Sequence, residues 1–437
     1  QRRQMLGKSA SVLMLTYTTT LTKTLKQLYV ELYGEELPYS LQVESIRAWM
    51  MRQLRDADVR INFAEPDSRL RLIGEAMQEV AARYPDDRVV SEKPKQFFLD
   101  ELDDVILSRR IENLEEYQGI DRVGRGRALD RTRHRPIVWE ICRRYRQKLE
   151  RANLSDWADL ARLVEQRCLR LPQFDVVIVD EAQDLPPSEI HLVTRLLSDY
   201  SEERSLTLLA DPAQSIYYRG IPWKEAGINI LGRTRILDKN FRNTKQILEA
   251  AGQIVERCED LKKHEEFIPP TSSFRPGAKP IIVSYSYAEK SNQFLADEII
   301  KLCQTGGFRP GDIAVFARSK NLLTKYIQSF LQKQNILCRF HRDDDFQIFE
   351  NEVKLITMHS AKGLEFPVVF LIGLSDQYIP YIDKDSDTKL DDELQERKLF
   401  YVSMTRAAER LYLLHPRRNR CRFLYDLEPA TVTQTVC

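Results

Sequence analysis

The sequence predicts an α/β protein built on two parallel sheets, with a mainly helical insertion in the first. Three observations predict it. Short apolar runs recur along the chain and end in polar or charged residues. Helical patterns separate them. A Pro/Gly/Ser-rich stretch, His264–Pro280, divides the runs into two groups. Strands alternating with helices imply doubly wound sheets, and runs without polar alternation imply strands covered on both faces.

In chain order the strand-like runs are 12–18 (VLMLTYT), 174–184 (FDVVIVDEAQD), 206–214 (LTLLADPAQ), 280–286 (PIIVSYS), 312–319 (DIAVFARS), 353–360 (VKLITMHS), 367–374 (PVVFLIGL) and 410–415 (RLYLLH). Helical patterns cover Pro187–Asp199, Thr244–Cys258, Lys290–Gln304 and Leu322–Gln334. The stretch from about 20 to 170 is charged and mostly helical, with a Gly/Arg-rich break at 119–127, and reads as an insertion between the first two strands. The expected division is an N-terminal unit at 1–265, a linker at 266–280 and a C-terminal unit at 281–437. The acidic segment 376–396 reads as a surface loop.

Composition excludes several classes. Apolar residues make up 43% and charged residues 30% of 437, as in ordinary globular proteins. The longest apolar runs, such as Val176–Val179 and Val368–Ile372, cannot cross a bilayer, and the start of the chain has no secretory core. Cys142, Cys168, Cys258, Cys303, Cys338, Cys421 and Cys437 form no CxxC pair, so reduced thiols and a cytoplasmic location are expected. A net charge of +1 is uninformative, but Arg122, Arg125, Arg127, Arg131, Arg133, Arg135, Arg143, Arg144, Arg146 and Lys148 face only Asp130 and Glu140 in the same stretch. Such a run either tracks phosphates or forms a solvated helix face.

Ligands bind past the C-terminal ends of strands in such sheets, and the polar residues there suggest chemistry. Asp180 and Glu181 end an apolar strand. One carboxylate suits Mg²⁺ bound with water and phosphate oxygens, and a second can align an attacking water. The plainer alternative is an acidic pair capping the next helix. Gln214 can sense a terminal phosphate. Tyr217 and Tyr218 offer flat faces to bases, or else pack at a rim. Arg242 follows another strand-like run and either reaches a γ-phosphate or forms a surface ion pair. Thr357, His359 and Lys362 stand where backbone phosphates could be gripped. Gly363 permits a tight turn and Glu365 suits a ribose hydroxyl. Arg406 lies near a helix end, where a cation also complements the helix dipole.

Taken together, DEAQD, DPAQSIYYRG, NFRNT, ITMHSAKGLEF and LFYVSMTRA closely resemble motifs II to VI of UvrD/Rep-type superfamily 1 helicases, and LMLTYTTTL resembles motif Ia. The resemblance implies two RecA-like domains with ATP between them and single-stranded nucleic acid across the top, moved 3′ to 5′. It implies that Asp180 and Glu181 help bind Mg²⁺, that Glu181 activates water and that Gln214 senses the γ-phosphate. It makes Arg242 and Arg406 arginine fingers from either side of the cleft, and puts Gly363 and Glu365 at the nucleotide. Tyr17, Thr18, Tyr217, Tyr218, Thr357 and His359 would line the nucleic-acid track. The expected partner is single-stranded DNA, with RNA as the alternative polymer, in repair or recombination and away from membranes.

The sequence departs from that pattern in three places. The family's GxxxxGK[ST] loop is absent, and Gly7-Lys8-Ser9 stands too close to the strand at Val12 to open the required helix. As written, the chain is expected to bind ATP poorly and to hydrolyse it slowly or not at all. The expectation is an incomplete sequence, the alternative being an ATP-independent scaffold that kept the track. The SIYYRG loop is one residue tighter than the commoner pattern, and about a hundred residues between the fourth and fifth motifs are too few for the large extra domain of many relatives.

Overall fold

The computed structural model describes residues 10–120, 122, 129–198, 205–211, 223, 226–237, 239–256, 272–273, 275–341, 347–382 and 389–437. The first sheet holds β1 (Val12–Thr16), β2 (Leu41–Ser45), β3 (Val176–Val179) and β4 (Ser205–Leu208), all parallel, in the order β2-β1-β3-β4. A short pair, β5 (Lys239–Asn240) and β6 (Ser272–Ser273), follows. The second sheet is also wholly parallel. It holds β7 (Ile281–Tyr285), β8 (Ile313–Ala317), β9 (Cys338–Phe340), β10 (Val353–Thr357), β11 (Phe366–Leu371), β12 (Ala407–Pro416) and β13 (Thr433–Val436), in the order β13-β7-β12-β11-β8-β10-β9.

Helices of the first unit are α1 (Thr19–Tyr33) and α2 (Ile46–Asp56), then, in the insertion, α3 (Pro66–Ala81), α4 (Arg88–Glu92), α5 (Lys95–Glu101), α6 (Leu114–Gly119) and α7 (His134–Arg151), followed by α8 (Leu160–Arg167) and α9 (Pro187–Thr194). Later come α10 (Lys245–Glu256), α11 (Ala288–Gln304), α12 (Gln328–Lys333) and α13 (Lys389–Met404). Local chemistry sets several ends. The Thr18 hydroxyl accepts the Leu21 N–H at 3.2 Å to start α1, and Gly34, at φ +68°, ends it.

The central strands of the second sheet are largely apolar because alternate side chains feed two cores. Phe316, Ile356, Val369 and Leu413 pack on one face with α10 and Leu399–Val402. Val315, Leu355, Phe370 and Leu414 pack on the other with Leu295 and Ile299 of α11 and Leu331 of α12. A third core, around Leu13, Trp49, Val164 and Val179, belongs to the first sheet. The insertion has its own, around Ile73, Phe98, Val138, Ile141 and Tyr145.

Packing differs from the sequence reading at several points. β2, with its polar pattern LQVES, and α2 belong to the first sheet and its core, and the separate insertion core runs from Ala64 to Leu149. Helix α10, placed before the expected linker, buries Ile247, Ala250, Ala251 and Ile254 in the second unit's core. The acidic 376–396 segment is helical from Lys389 onward. The described cysteines are all free, and none of the described helices is long and apolar enough to cross a membrane.

Candidate nucleotide cleft between the two sheets

β1 and β3 are neighbours, and the strand order runs outward from them to β2 on one side and β4 on the other, so the crevice past β1 and β3 is a switch point. Asp180 ends β3 there, its N–H donating to the Leu15 carbonyl at 2.9 Å. Glu181 follows in the left-handed region at φ +55°, a conformation costing a non-glycine residue about 1–2 kcal/mol. Burial, then the neighbouring Glu181 charge, raises the Asp180 carboxyl above its ordinary range. The Glu181 N–H, Arg242 and Lys362 oppose that shift.

Two residues that the sequence reading left without a role hold this turn. Gln183, fully buried, donates its amide to the Glu181 carboxylate and accepts the Asp211 N–H at 3.0 Å, tying the ends of β3 and β4 together. Asp184, also buried, accepts from Lys362 of the second unit. The Lys362 ammonium lies 3.4 Å from Glu181 as well. The sequence reading expected Lys362 to meet backbone phosphates; here its side chain is 1% exposed and its ammonium lies against Asp184 and Glu181. It bridges the two units instead. Lys362→Ala would take the cation away from a buried carboxylate and is expected to destabilise the folded chain by about 3–5 kcal/mol. Urea unfolding checks this, and Lys362→Ala with Asp184→Ala should recover part of the loss. Additive losses would deny the coupling.

The arginines sit together, not on opposite sides of the cleft. Asn243, buried, donates its side-chain amide to the Thr405 carbonyl at 2.8 Å and the Ala407 carbonyl at 2.6 Å, either side of Arg406. Asn240 accepts the N–H groups of Arg242 and Asn243 at 2.9 and 3.0 Å, shaping the turn. This turn therefore docks on the second unit, and Arg242 comes from the same side as Arg406. Arg406 is 1% exposed and donates to the carbonyls of Val402 at 3.0 Å and Leu364 at 3.3 Å. Burial, then the Arg242 charge, pulls its guanidinium down to about 10, while Glu181 and Asp211 act in the other direction. It remains a cation at neutral pH. Arg242 pairs with Glu365, so the expected finger and the expected ribose contact hold each other in this state.

Gly363 adopts φ +80°, and a Cβ there would stand 3.1 Å from the Leu21 side chain of α1. α1 also reaches the second unit through Gln27, which accepts the Ile348 N–H at 3.1 Å and donates to Gln347 at 2.8 Å. On the expected nucleic-acid track, Tyr17 is half-buried against the first core and the Thr18 hydroxyl caps α1. Thr357 donates to the Ser360 hydroxyl at 3.0 Å. Burial, then Arg318, lowers His359 to about 4, so it is neutral at pH 7 and offers a hydrogen bond or a ring face, not a charge. Gln214, Tyr217, Tyr218 and Gly7-Lys8-Ser9 lie outside the described residues.

Crowded carboxylates thus face a cluster of cations across the seam. That donor set fits a polyphosphate carrying Mg²⁺. No group of three or more His, Cys, Asp or Glu able to cage a metal occurs among the described residues. Mg²⁺ needs no such cage, because one or two carboxylates suffice when phosphate oxygens and water fill the other positions.

Sequence profiles of known protein families match most of this chain. A sequence profile described as the UvrD/REP helicase N-terminal domain matches residues 3–235, and one described as the UvrD-like helicase C-terminal domain matches 236–349 and 340–417. A probable DNA helicase of Mycoplasma pneumoniae is 26% identical over 289 residues, covering 62% of this chain and 51% of that protein. A probable DNA helicase II homolog of the same organism is 46% identical over 76 residues, 17% of this chain and 11% of that protein. The ATP-dependent DNA helicase PcrA of Staphylococcus aureus is 51% identical over 67 residues, 15% of this chain and 9% of that protein. The matches therefore span about half the length of the first of these relatives, and less of the others. A solved C-terminal domain of a possible DNA helicase from Lactobacillus plantarum aligns with a TM-score of 0.33 at 17% identity, covering 45% of this chain and 98% of that one. With matched profiles running from residue 3 to residue 417 across both sheets, the chain belongs to the UvrD/REP helicase family.

Proposed function

We propose that the chain forms the motor of an ATP-driven helicase that translocates 3′ to 5′ on single-stranded DNA. The observation that carries this reading is the seam itself, where Glu181 and Asp184 of one sheet meet Lys362 of the other and Arg406 lies within electrostatic reach of Glu181. Bound ATP and Mg²⁺ supply the transferable γ-phosphoryl group and a cation that neutralises it. In this reading Asp180 is the Mg²⁺ carboxylate and Glu181 orients and deprotonates water. Arg242 and Arg406 take the charge that develops on the phosphoryl oxygens, and Gln214 senses that phosphate. Arg242 must first leave Glu365, which frees the carboxylate for the ribose. Tyr17, Thr18, Tyr217, Tyr218, Thr357 and His359 would form the track. The working units we favour are 10–211, interrupted by an insertion at about 64–156, and 239–437. A cytoplasmic place in DNA repair fits the family.

The test is ATP hydrolysis by the chain as it stands and by a form carrying a GxxxxGK[ST] loop, each with and without single-stranded DNA. Strong stimulation by DNA in the loop-bearing form is the expected result. Hydrolysis indifferent to DNA would point to a switch acting on a protein partner. DNA binding with no hydrolysis in either form would make the chain an ATP-independent scaffold.

A further inference from the structure

The basic run 122–148 sorts itself once its partners are known. Arg122 is buried against Glu101 at 2.6 Å. Arg133 pairs with Asp87 at 3.1 Å, Arg144 with Glu79 at 2.8 Å, and Lys148 with Glu79 at 2.7 Å. Arg135 is buried and donates to the backbone carbonyls of Tyr117, Gln118 and Ile120. These cations hold the insertion together. Arg143 and Arg146 are different: neither meets a carboxylate, and both line one groove of about 630 Å³ between the insertion and the first sheet unit.

That groove has two helical walls. Trp139, Arg143, Arg146 and Glu150 follow one another at helical spacing along α7, while the opposite face of α7 is buried in the insertion core. Arg162 and Arg167 of α8 line the facing wall, Arg162 already held by Asp159. Arg60 also lines the groove, close to where the chain enters and leaves the insertion. There Ser155 donates to the Asn62 carbonyl at 2.8 Å and accepts the Ala64 N–H at 2.9 Å. Arg60, Arg143, Arg146 and Arg167 thus line one groove without carboxylate partners, beside Glu150 as the one acid of the lining outside an ion pair. Guanidinium groups in that arrangement match the repeating charge of a phosphodiester backbone, and the half-buried face of Trp139 offers a base a stacking surface.

We infer that this groove binds the backbone of a single nucleic-acid strand, as a second contact site apart from the cleft between the sheets. The inference rests on the proposal that the chain acts on nucleic acid. Because the groove's walls belong to different units joined at the Ser155 crossing, an occupying strand fixes the insertion against the first sheet.

The experiment measures binding of a fluorescein-labelled oligothymidylate to the whole chain by anisotropy, between about 50 and 200 mM salt. Arg143→Ala with Arg146→Ala should weaken binding on the order of tenfold and flatten the slope of log K against log salt by about 1.4, the loss of two single-strand phosphate contacts. Arg60→Ala with Arg167→Ala, in the same lining, should do the same. Arg143→Lys with Arg146→Lys should restore the slope. Circular dichroism confirms that each variant is folded, and these side chains are exposed or half-exposed. Unchanged slopes in both alanine pairs, with the parent chain binding DNA, would overturn the groove assignment alone. A parent chain that fails to bind would overturn the functional reading beneath it. Loss of slope with a blunt duplex but not with the single strand would overturn the single-strand assignment.

Discussion

Glu181→Gln is expected to lower ATP turnover in the loop-bearing form by about 10⁴-fold while leaving nucleotide affinity near its parent value. The side chains are nearly isosteric, so the change removes basicity and spares shape. Gln183 and Lys362 both reach the Glu181 carboxylate, and the backbone beneath it is held in the left-handed region. A strained residue persists where the surroundings over-determine it, and such residues cluster at reacting sites. Asp180 lies one residue earlier and carries the metal in this reading, so nucleotide and Mg²⁺ binding should survive. Single-turnover hydrolysis and equilibrium binding of a fluorescent ATP analogue separate the two effects. A residual rate above about one hundredth of the parent would remove Glu181 as the base.

Much of the fold is legible because burial on both faces writes itself as unbroken apolar runs. IAVFA could be assigned from that alone, since its alternate residues feed separate cores, and VVIV likewise, with Val177 and Val179 in the first sheet's core. β2 was not legible: LQVES is a sheet-edge strand with polar and charged residues, in a stretch dominated by helical patterns. The site divides in the same way. Asp180 and Glu181 are chemically conspicuous at a strand end. Asn243 and Gln183 are plain amides whose partners lie far along the chain or in an adjacent turn, and only the folded geometry makes them clamps. Lys362 shows the opposite failure. A lysine beside a glycine turn suggests phosphate, and sequence carries no record that Asp184, 178 residues away, occupies its ammonium. The side on which Arg242 lies was hidden for the same reason, because Asn243 docking decides it.

Arg406→Ala should produce two separable losses. The first is catalytic: if Arg406 meets the developing phosphoryl charge as proposed, its removal costs about 10³-fold in hydrolysis by the loop-bearing form. The second is structural. Arg406 is buried and its guanidinium satisfies the carbonyls of Val402 and Leu364, so truncation leaves buried acceptors bare at a cost of about 1–3 kcal/mol for each. Arg406→Lys tells them apart. Lysine keeps the charge and part of the buried stem, but lacks the fork that reaches two carbonyls and a phosphate together. Its thermal midpoint should lie between those of the parent and the alanine variant, while its hydrolysis should stay close to that of alanine. The parent also carries a testable cost. Burying Arg406 beside Arg242 depresses its guanidinium, and an anion placed between them removes that repulsion. Pyrophosphate should therefore raise the parent's thermal midpoint more than that of Arg406→Ala. Equal rises, together with near-parent hydrolysis in the alanine variant, would assign Arg406 to holding the end of α13 and take it out of the chemistry.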